Sequence, residues 1–180
     1  LQSRGLGDVY KRQQQDLLKA LVKTGKPVVL LLFTGRPLIL NWESEHIPSI
    51  LNVWFGGSET GDAVADVLFG KAVPCGKLTT TFPRSVGQLP LFYNHLNTGR
   101  PDPDNRVFNR YASNYLDESN EPLYPFGYGL SYTDFVYGDL QLSSETLPKN
   151  GNLTASVTVT NKGNHDGYET VQIYLRDIYA

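Results

Sequence analysis

The chain has 180 residues, of which 40% are hydrophobic and 19% are charged, and its formal net charge is −2. This is the composition of an ordinary globular protein, and it contains no basic stripe that would favour nucleic acid as a partner. The longest apolar run, Val28–Phe33, is far too short to cross a bilayer. The single cysteine, Cys75, excludes an internal disulfide, and the absence of any methionine predicts a fragment of a longer protein.

The first third of the chain predicts a helix and a buried strand. Residues 1–13 fit no later pattern and have no apolar stretch of the kind that a signal peptide carries, so we expect a foreign leader there. Residues 14–26 predict a helix because their apolar side chains recur at helical spacing, and Gly25 suits its end. Residues 27–33 form a continuous apolar run, which is typical of a strand buried in a parallel sheet.

The next segment repeats this alternation. Residues 43–49 are a short polar stretch with some helical character, and residues 50–55 are a second candidate strand. After two glycines, we expect a helix that is capped by Ser58 or Thr60 and runs to about Phe69. The order of helix, strand, helix, strand and helix predicts an α/β layer with a mostly parallel sheet.

The character of the sequence then changes twice. Residues 84–123 are polar and rich in Pro, Asn and Asp, which predicts a long ordered connection of the kind that carries function or joins domains. Beyond Phe135, three segments alternate between apolar and polar residues and are separated by turn clusters; they are 136–142, 153–160 and 169–175. This pattern predicts strands of a β-sandwich.

Five stretches carry a family resemblance. They are GKPVVLLLFTGRPL (25–38), WFGGSETGDAVADVLFG (54–70), GKLTTTFPRSVGQLP (76–90), HLNTGRP (95–101) and LYPFGYGLSYTDF (123–135). In combination they resemble glycoside hydrolase family 3, specifically its periplasmic β-glucosidases, over residues 14–180. Cys75 and Thr79 stand where the family pattern PSGKLP has serine and proline, and neither departure bears on the chemistry.

The resemblance implies an α/β fold class, with a partial α/β sandwich layer followed by an incomplete all-β sandwich of the fibronectin type III-like kind. Residues 14–90 would be the last part of the α/β sandwich domain, 91–125 a connector, and 126–180 the first part of the fibronectin-like domain. Because both parts would lack partner strands, we expect the chain on its own to be marginally folded.

The resemblance also implies a function for the parent protein. Members of this group are retaining β-glucosidases, which remove terminal, non-reducing β-D-glucosyl residues from β-glucosides and oligosaccharides. Retaining hydrolysis needs two carboxyl groups about 5–5.5 Å apart, and the family supplies them from regions outside this chain. No catalytic residue is therefore assigned, and the chain alone is expected to be inactive. The resemblance implies a periplasmic location, no cofactor and no membrane, and it leaves open a homodimer and a xylosidase specificity.

Four side chains are weak candidates for contact with substrate. Glu59 begins a predicted helix, where the helix dipole favours an acid, and its alternative role is to face a sugar hydroxyl. Tyr111 and Tyr115 suit either aromatic packing or stacking on the face of a sugar. Asp117 is the fourth candidate.

The connection between residues 84 and 123 carries several charged groups. Asp117 suits either an ion pair with Arg106 or Arg110 or a contact with a sugar. Asp102 and Asp104 flank a proline and are expected to be solvated turn residues.

The remaining polar residues give no sign of a metal site. The three histidines, His46, His95 and His165, have no neighbouring Cys or His at ligand spacing. An alternative function from a different class stays open at this point: the β-rich end is a non-catalytic module that binds carbohydrate or another protein. The missing catalytic acids favour this alternative, whereas the helix and strand section, which is no stand-alone binding fold, counts against it.

Overall fold

The computed structural model describes residues 7–96, 99–101 and 110–176, with side chains from Arg12 onward. The chain divides into two compact units. The first unit is Leu1–Gly57 with Thr81–Pro125, and the second is Ser58–Thr80 with Phe126–Ala180. Each unit is therefore assembled from two separated stretches of sequence, and the domain limits expected from the sequence stay a prediction. No helix in the described ranges is long and apolar enough to span a membrane.

The first unit contains two helices and a parallel pair of strands. Its elements are α1 (Gly7–Val22), β1 (Val29–Leu32), α2 (Asn41–His46) and β2 (Ser49–Asn52). The two strands run parallel, with Val29 opposite Ser49 and Leu32 opposite Asn52. The predicted strands within 27–33 and 50–55 and their parallel pairing are thus confirmed.

Helix α1 begins earlier than the sequence predicts and ends where it predicts. Its first residue is Gly7, so the helix includes part of the expected leader, residues 1–13. At the other end, Gly25 has a φ of 71° and its N–H donates to the carbonyl oxygen of Val22 at 3.1 Å. Glycine adopts this left-handed conformation without a steric penalty, which explains why the helix ends here.

Phe82 lies at the centre of the core of the first unit. Its side chain is 1% exposed, and the other buried apolar residues of the unit are Leu32, Leu40 and Ile47. Its ring centroid lies 5.9 Å from that of Trp54 and 6.2 Å from that of Tyr124, in the tilted and edge-on arrangements that aromatic pairs favour. The Phe82 N–H also donates to the Tyr124 carbonyl oxygen at 2.9 Å. Side chain and backbone together therefore join the segments around residues 82 and 124.

Helix α3 (Thr60–Leu68) belongs to the second unit. The N-cap position is held by Glu59, which makes no side-chain cap hydrogen bond, so the prediction that Ser58 or Thr60 is the capping residue is wrong. Glu59 has a longer side chain than the usual capping residues, which suits it less well to bond the first turn. Gly70, with a φ of 73°, follows the helix, and the predicted end is confirmed.

The β-rich part of the second unit is an antiparallel ribbon with a bulge. Its strands are β3 (Phe135–Tyr137), β4 (Gln141–Leu142), β5 (Ala155–Ser156) and β6 (Val159–Asn161), with β3 paired to β6 and β4 to β5. Tyr137 faces Val159 and Gln141 faces Ser156, so a step of 141 − 137 = 4 residues lies opposite one of 159 − 156 = 3. The extra residue makes a β-bulge, and it interrupts the two strands predicted at 136–142 and 153–160.

The third predicted strand, at 169–175, is wrong: this segment pairs its backbone with no strand in the described part of the chain. Its side chains make the contacts instead. Thr170 Oγ1 donates to the carbonyl oxygen of Cys75 at 3.1 Å, and Gln172 Nε2 donates to that of Gly127 at 2.9 Å. Neighbouring side chains of this segment therefore alternate in exposure without a partner strand: Gln172, which is hydrogen-bonded, is half-buried, whereas Ile173 is exposed.

Candidate functional site

A loop at residues 110–121, here called the 110–121 loop, carries three of the four candidate residues and is anchored by a buried glutamine. Gln88 ends a short 3-10 helix, Val86–Gln88, and its side chain is 1% exposed. Its Nε2 donates to the carbonyl oxygens of Ser119 at 2.8 Å and Glu121 at 3.3 Å. Its Oε1 accepts from the backbone N–H of Arg84 at 2.7 Å. The amide therefore joins residues 84–88 to the far end of the loop.

A second side-chain amide shapes the interior of the loop. Asn120 Oδ1 accepts from the backbone N–H of Tyr115 at 3.2 Å, and Asn120 Nδ2 donates to the carbonyl oxygen of Ser113 at 3.1 Å. Asn120 lies between Ser119 and Glu121, the two residues that Gln88 holds. The position of Tyr115 is thus linked to Gln88 through one intervening residue.

The two candidate tyrosines differ in exposure. The ring of Tyr111 is exposed, and the guanidinium carbon of Arg110 lies 6.0 Å from its centroid. Tyr115 is half-buried within the loop. An exposed aromatic ring beside a cation suits stacking on the apolar face of a sugar, whereas a half-buried ring serves packing as well. Tyr111 is therefore the better placed of the two for contact with a ligand.

Asp117 does not form the ion pair that was predicted with Arg110. The residue is exposed, and in the described ranges the only ion pairs within 4.0 Å are Lys71–Asp66 and Lys77–Glu169. Its other predicted partner, Arg106, lies outside the described residues, as do Asp102 and Asp104. The loop thus offers solvent a carboxylate within six residues of the exposed Tyr111 ring.

Glu59, the remaining candidate, belongs to the second unit, whereas the three loop residues belong to the first. It lies at the start of α3, as predicted, and its side chain is exposed. The positive end of the helix dipole favours a carboxylate there whether or not a ligand is bound. Its position is thus explained without any contact with substrate.

The second unit contains a polar cluster that the sequence did not reveal. Lys77 Nζ lies 3.6 Å from Glu169 Oε2, with side chains 15% and 14% exposed, and it donates to the carbonyl oxygen of Gly129 at 2.9 Å. The Tyr137 hydroxyl donates to Glu169 Oε1 at 3.0 Å. Partial desolvation of the hydroxyl, the hydrogen bond to Glu169 and the negative charge of that carboxylate raise the pKa of the exposed Tyr137 above its usual 10.0. We call this set the Lys77 cluster.

The Lys77 cluster suits a structural role better than a chemical one. The carboxylate of Glu169 is engaged by a cation and by a phenol, so both of its oxygens have partners. Within the described residues, no three side chains of His, Cys, Asp or Glu come together as a metal site would require. Neither Lys77 nor Gln88 is marked by any sequence pattern except its place in the GKLTTTFPRSVGQLP block.

Comparison with known families and proteins gives a consistent result. Residues 7–132 match the model of the glycosyl hydrolase family 3 C-terminal domain. The chain is 55% identical over 169 residues to the periplasmic beta-glucosidase of Salmonella typhimurium. The aligned region covers 94% of this chain and 22% of that protein. It is also 48% identical over 167 residues to a beta-xylosidase of Formosa agariphila, and this alignment covers 93% of this chain and 22% of that protein.

Solved structures of similar proteins include two of a beta-glucosidase from Listeria innocua. The complex with glucose has a TM-score of 0.75 and 45% identity, and covers 86% of this chain and 21% of that one. The complex of a mutant with laminaribiose has a TM-score of 0.74 and 46% identity over the same shares of both chains. The chain thus spans about a fifth of the length of these relatives.

Proposed function

The chain belongs to glycosyl hydrolase family 3, and on that premise we propose that it is part of a longer enzyme that hydrolyses β-glucosides. The observation that carries this proposal is the 55% identity to the periplasmic beta-glucosidase of Salmonella typhimurium over 94% of the chain. The same relative supports a periplasmic location for the parent. Its substrates would be β-glucosides with a terminal, non-reducing glucosyl residue.

The proposal includes a division of labour within the parent. The two catalytic carboxyl groups would lie in the remainder of the parent, since the chain corresponds to only 22% of the length of its relative. Residues 14–90 form the last part of an α/β sandwich domain, 91–125 a connector, and 126–180 the first part of a fibronectin-like domain. The parallel pairing of β1 with β2 supports an α/β domain, and the antiparallel ribbon supports an all-β domain.

Within this division, the 110–121 loop contributes contacts with the substrate. A stacking surface is offered by the exposed ring of Tyr111 and the half-buried ring of Tyr115. A hydrogen-bond acceptor is offered by the exposed carboxylate of Asp117. These are the groups that a pyranose ring, with its apolar faces and hydroxyl donors, requires. Glu59 is a weaker candidate because the start of its helix accounts for its position.

A second candidate function is β-xylosidase activity. It is favoured by the 48% identity to the Formosa agariphila enzyme over 93% of the chain. The residues that separate glucose from xylose at the cleaved sugar would lie in the rest of the parent. The segment can therefore be assigned to one parent class only through the host with which it forms an active enzyme.

A pair of chimaeras tests the proposal. In each, this chain replaces the matching segment of either the Salmonella typhimurium beta-glucosidase or the Formosa agariphila beta-xylosidase. We expect the glucosidase chimaera to keep its kcat/KM for an aryl β-glucoside within about tenfold of its host, a difference of about 1.4 kcal/mol. The xylosidase chimaera is expected to lose a larger factor on an aryl β-xyloside.

Each host with the segment deleted serves as the inactive control. A glucosidase chimaera that folds, as judged by circular dichroism, but does not hydrolyse the β-glucoside would contradict the proposal. Retention of activity in the xylosidase chimaera alone would favour the second candidate function instead.

A further inference from the structure

Gln88 is one of the two bulky side chains in the described residues that are fully buried, and it is the polar one. A buried amide is costly unless its donors and acceptor are satisfied. Gln88 bonds three main-chain groups in two segments that lie more than 30 residues apart in the sequence. It therefore acts as a link between the chain around residue 84 and the end of the 110–121 loop.

The contacts continue from this link to the candidate residues. Gln88 holds Ser119 and Glu121, and Asn120 between them holds the backbone of Ser113 and Tyr115. We propose that Gln88 is a positioning residue, which fixes the 110–121 loop in the shape that brings its tyrosines to the sugar ring of the substrate. This inference rests on the proposed function, since it requires a sugar substrate.

The chemistry of the amide explains why glutamine is needed at this position. Its oxygen accepts from Arg84 while its nitrogen donates to two carbonyl oxygens of the loop. Methionine has nearly the same shape but makes neither set of bonds. Glutamate keeps the acceptor for Arg84 but turns an oxygen toward the carbonyl oxygens of Ser119 and Glu121, where it repels them. The two variants therefore separate the two halves of the link.

Hydrogen exchange of the backbone in the full 180-residue chain tests the link directly. The Tyr115 amide, which donates to Asn120, should exchange at least about tenfold faster in both Gln88→Met and Gln88→Glu, since a tenfold change follows the loss of one hydrogen bond of ordinary strength. The Arg84 amide should lose protection only in Gln88→Met. Gln14→Met, a substitution of an exposed glutamine in α1, is the matched control and should leave both amides unchanged.

Steady-state kinetics of the glucosidase chimaera test the role. We expect Gln88→Met to raise KM for the β-glucoside about tenfold while kcat changes less than about twofold, because the loop binds substrate but does not react with it. Gln88→Glu should show the same split between KM and kcat. Gln14→Met should leave both constants at the values of the unsubstituted chimaera.

The outcomes separate this inference from the proposed function. Unchanged exchange of the Tyr115 amide in both Gln88 variants would overturn the link itself. Faster exchange with an unchanged KM would overturn the positioning role, while the activity of the unsubstituted chimaera would still support the proposed function. An inactive but folded unsubstituted chimaera would overturn the proposed function and, with it, the positioning role.

Discussion

Replacing Phe82 by alanine should lower the free energy of unfolding of the first unit by about 3–5 kcal/mol, so that in a marginally folded chain the variant unit is largely unfolded before urea is added. Phe82 is 1% exposed, and the rings of Trp54 and Tyr124 pack against it, so the substitution leaves a cavity among side chains that cannot all move inward. Trp54 adds to the effect because its φ of 58° is unfavourable for a residue with a side chain, and the Phe82 ring helps to hold it there.

Urea unfolding followed by tryptophan fluorescence measures this change, since both tryptophans, Trp42 and Trp54, belong to the first unit. Phe92→Ala is the matched control in the same unit, because Phe92 is 61% exposed and its loss should cost less than about 0.5 kcal/mol. A cost below about 1 kcal/mol for Phe82→Ala would show that Phe82 is not the centre of the core.

Replacing Lys77 by methionine should destabilise the second unit by about 3 kcal/mol. The substitution leaves the carboxylate of Glu169, 14% exposed, without its cation, and the carbonyl oxygen of Gly129 without its donor. The effect should be large for this unit because none of its described apolar side chains is fully buried. Hydrogen exchange of the Leu78 amide, which donates to the backbone carbonyl oxygen of Tyr128 at 2.8 Å, measures the loss of stability.

Lys71→Met is the matched control for this prediction. Lys71 pairs with Asp66 at 3.4 Å, but its side chain is 76% exposed, so the change should cost less than about 1 kcal/mol. The double variant Lys77→Met with Glu169→Gln should recover part of the loss, because it removes the uncompensated charge. Equal effects of the two lysine substitutions would contradict a structural role for the Lys77 cluster.

The sequence predicts the elements of this chain better than it predicts their anchors. The apolar run at 27–33 and the glycine at 25 act locally, so β1 and the end of α1 could be predicted from neighbouring residues. The alternation at 169–175 is local as well, but a strand also needs a neighbour, and no local pattern shows whether one is there. The bulge between β3 and β4 cannot be predicted from neighbouring residues because it depends on the register with the partner strand.

The candidate site shows the same limit. Glu59 could be placed at a helix start because the glycines before it and the apolar pattern after it are adjacent in sequence. The contacts of Gln88 with Ser119 and those of Lys77 with Glu169 join residues 31 and 92 positions apart, so nothing near either residue announces them. The predicted pairing of Asp117 with Arg110 failed for the converse reason, since closeness in sequence does not ensure that side chains meet in a loop.

The central proposal is that this chain is part of a β-glucosidase whose catalytic carboxyl groups lie outside these 180 residues. Incubation of the purified 180-residue chain with an aryl β-glucoside tests it most directly, with the glucosidase chimaera as the positive control. We predict turnover by the chimaera and none above the buffer rate by the isolated chain at equal concentration. Saturable turnover that copurifies with the isolated chain would contradict the claim, because the catalytic groups would then lie within these 180 residues.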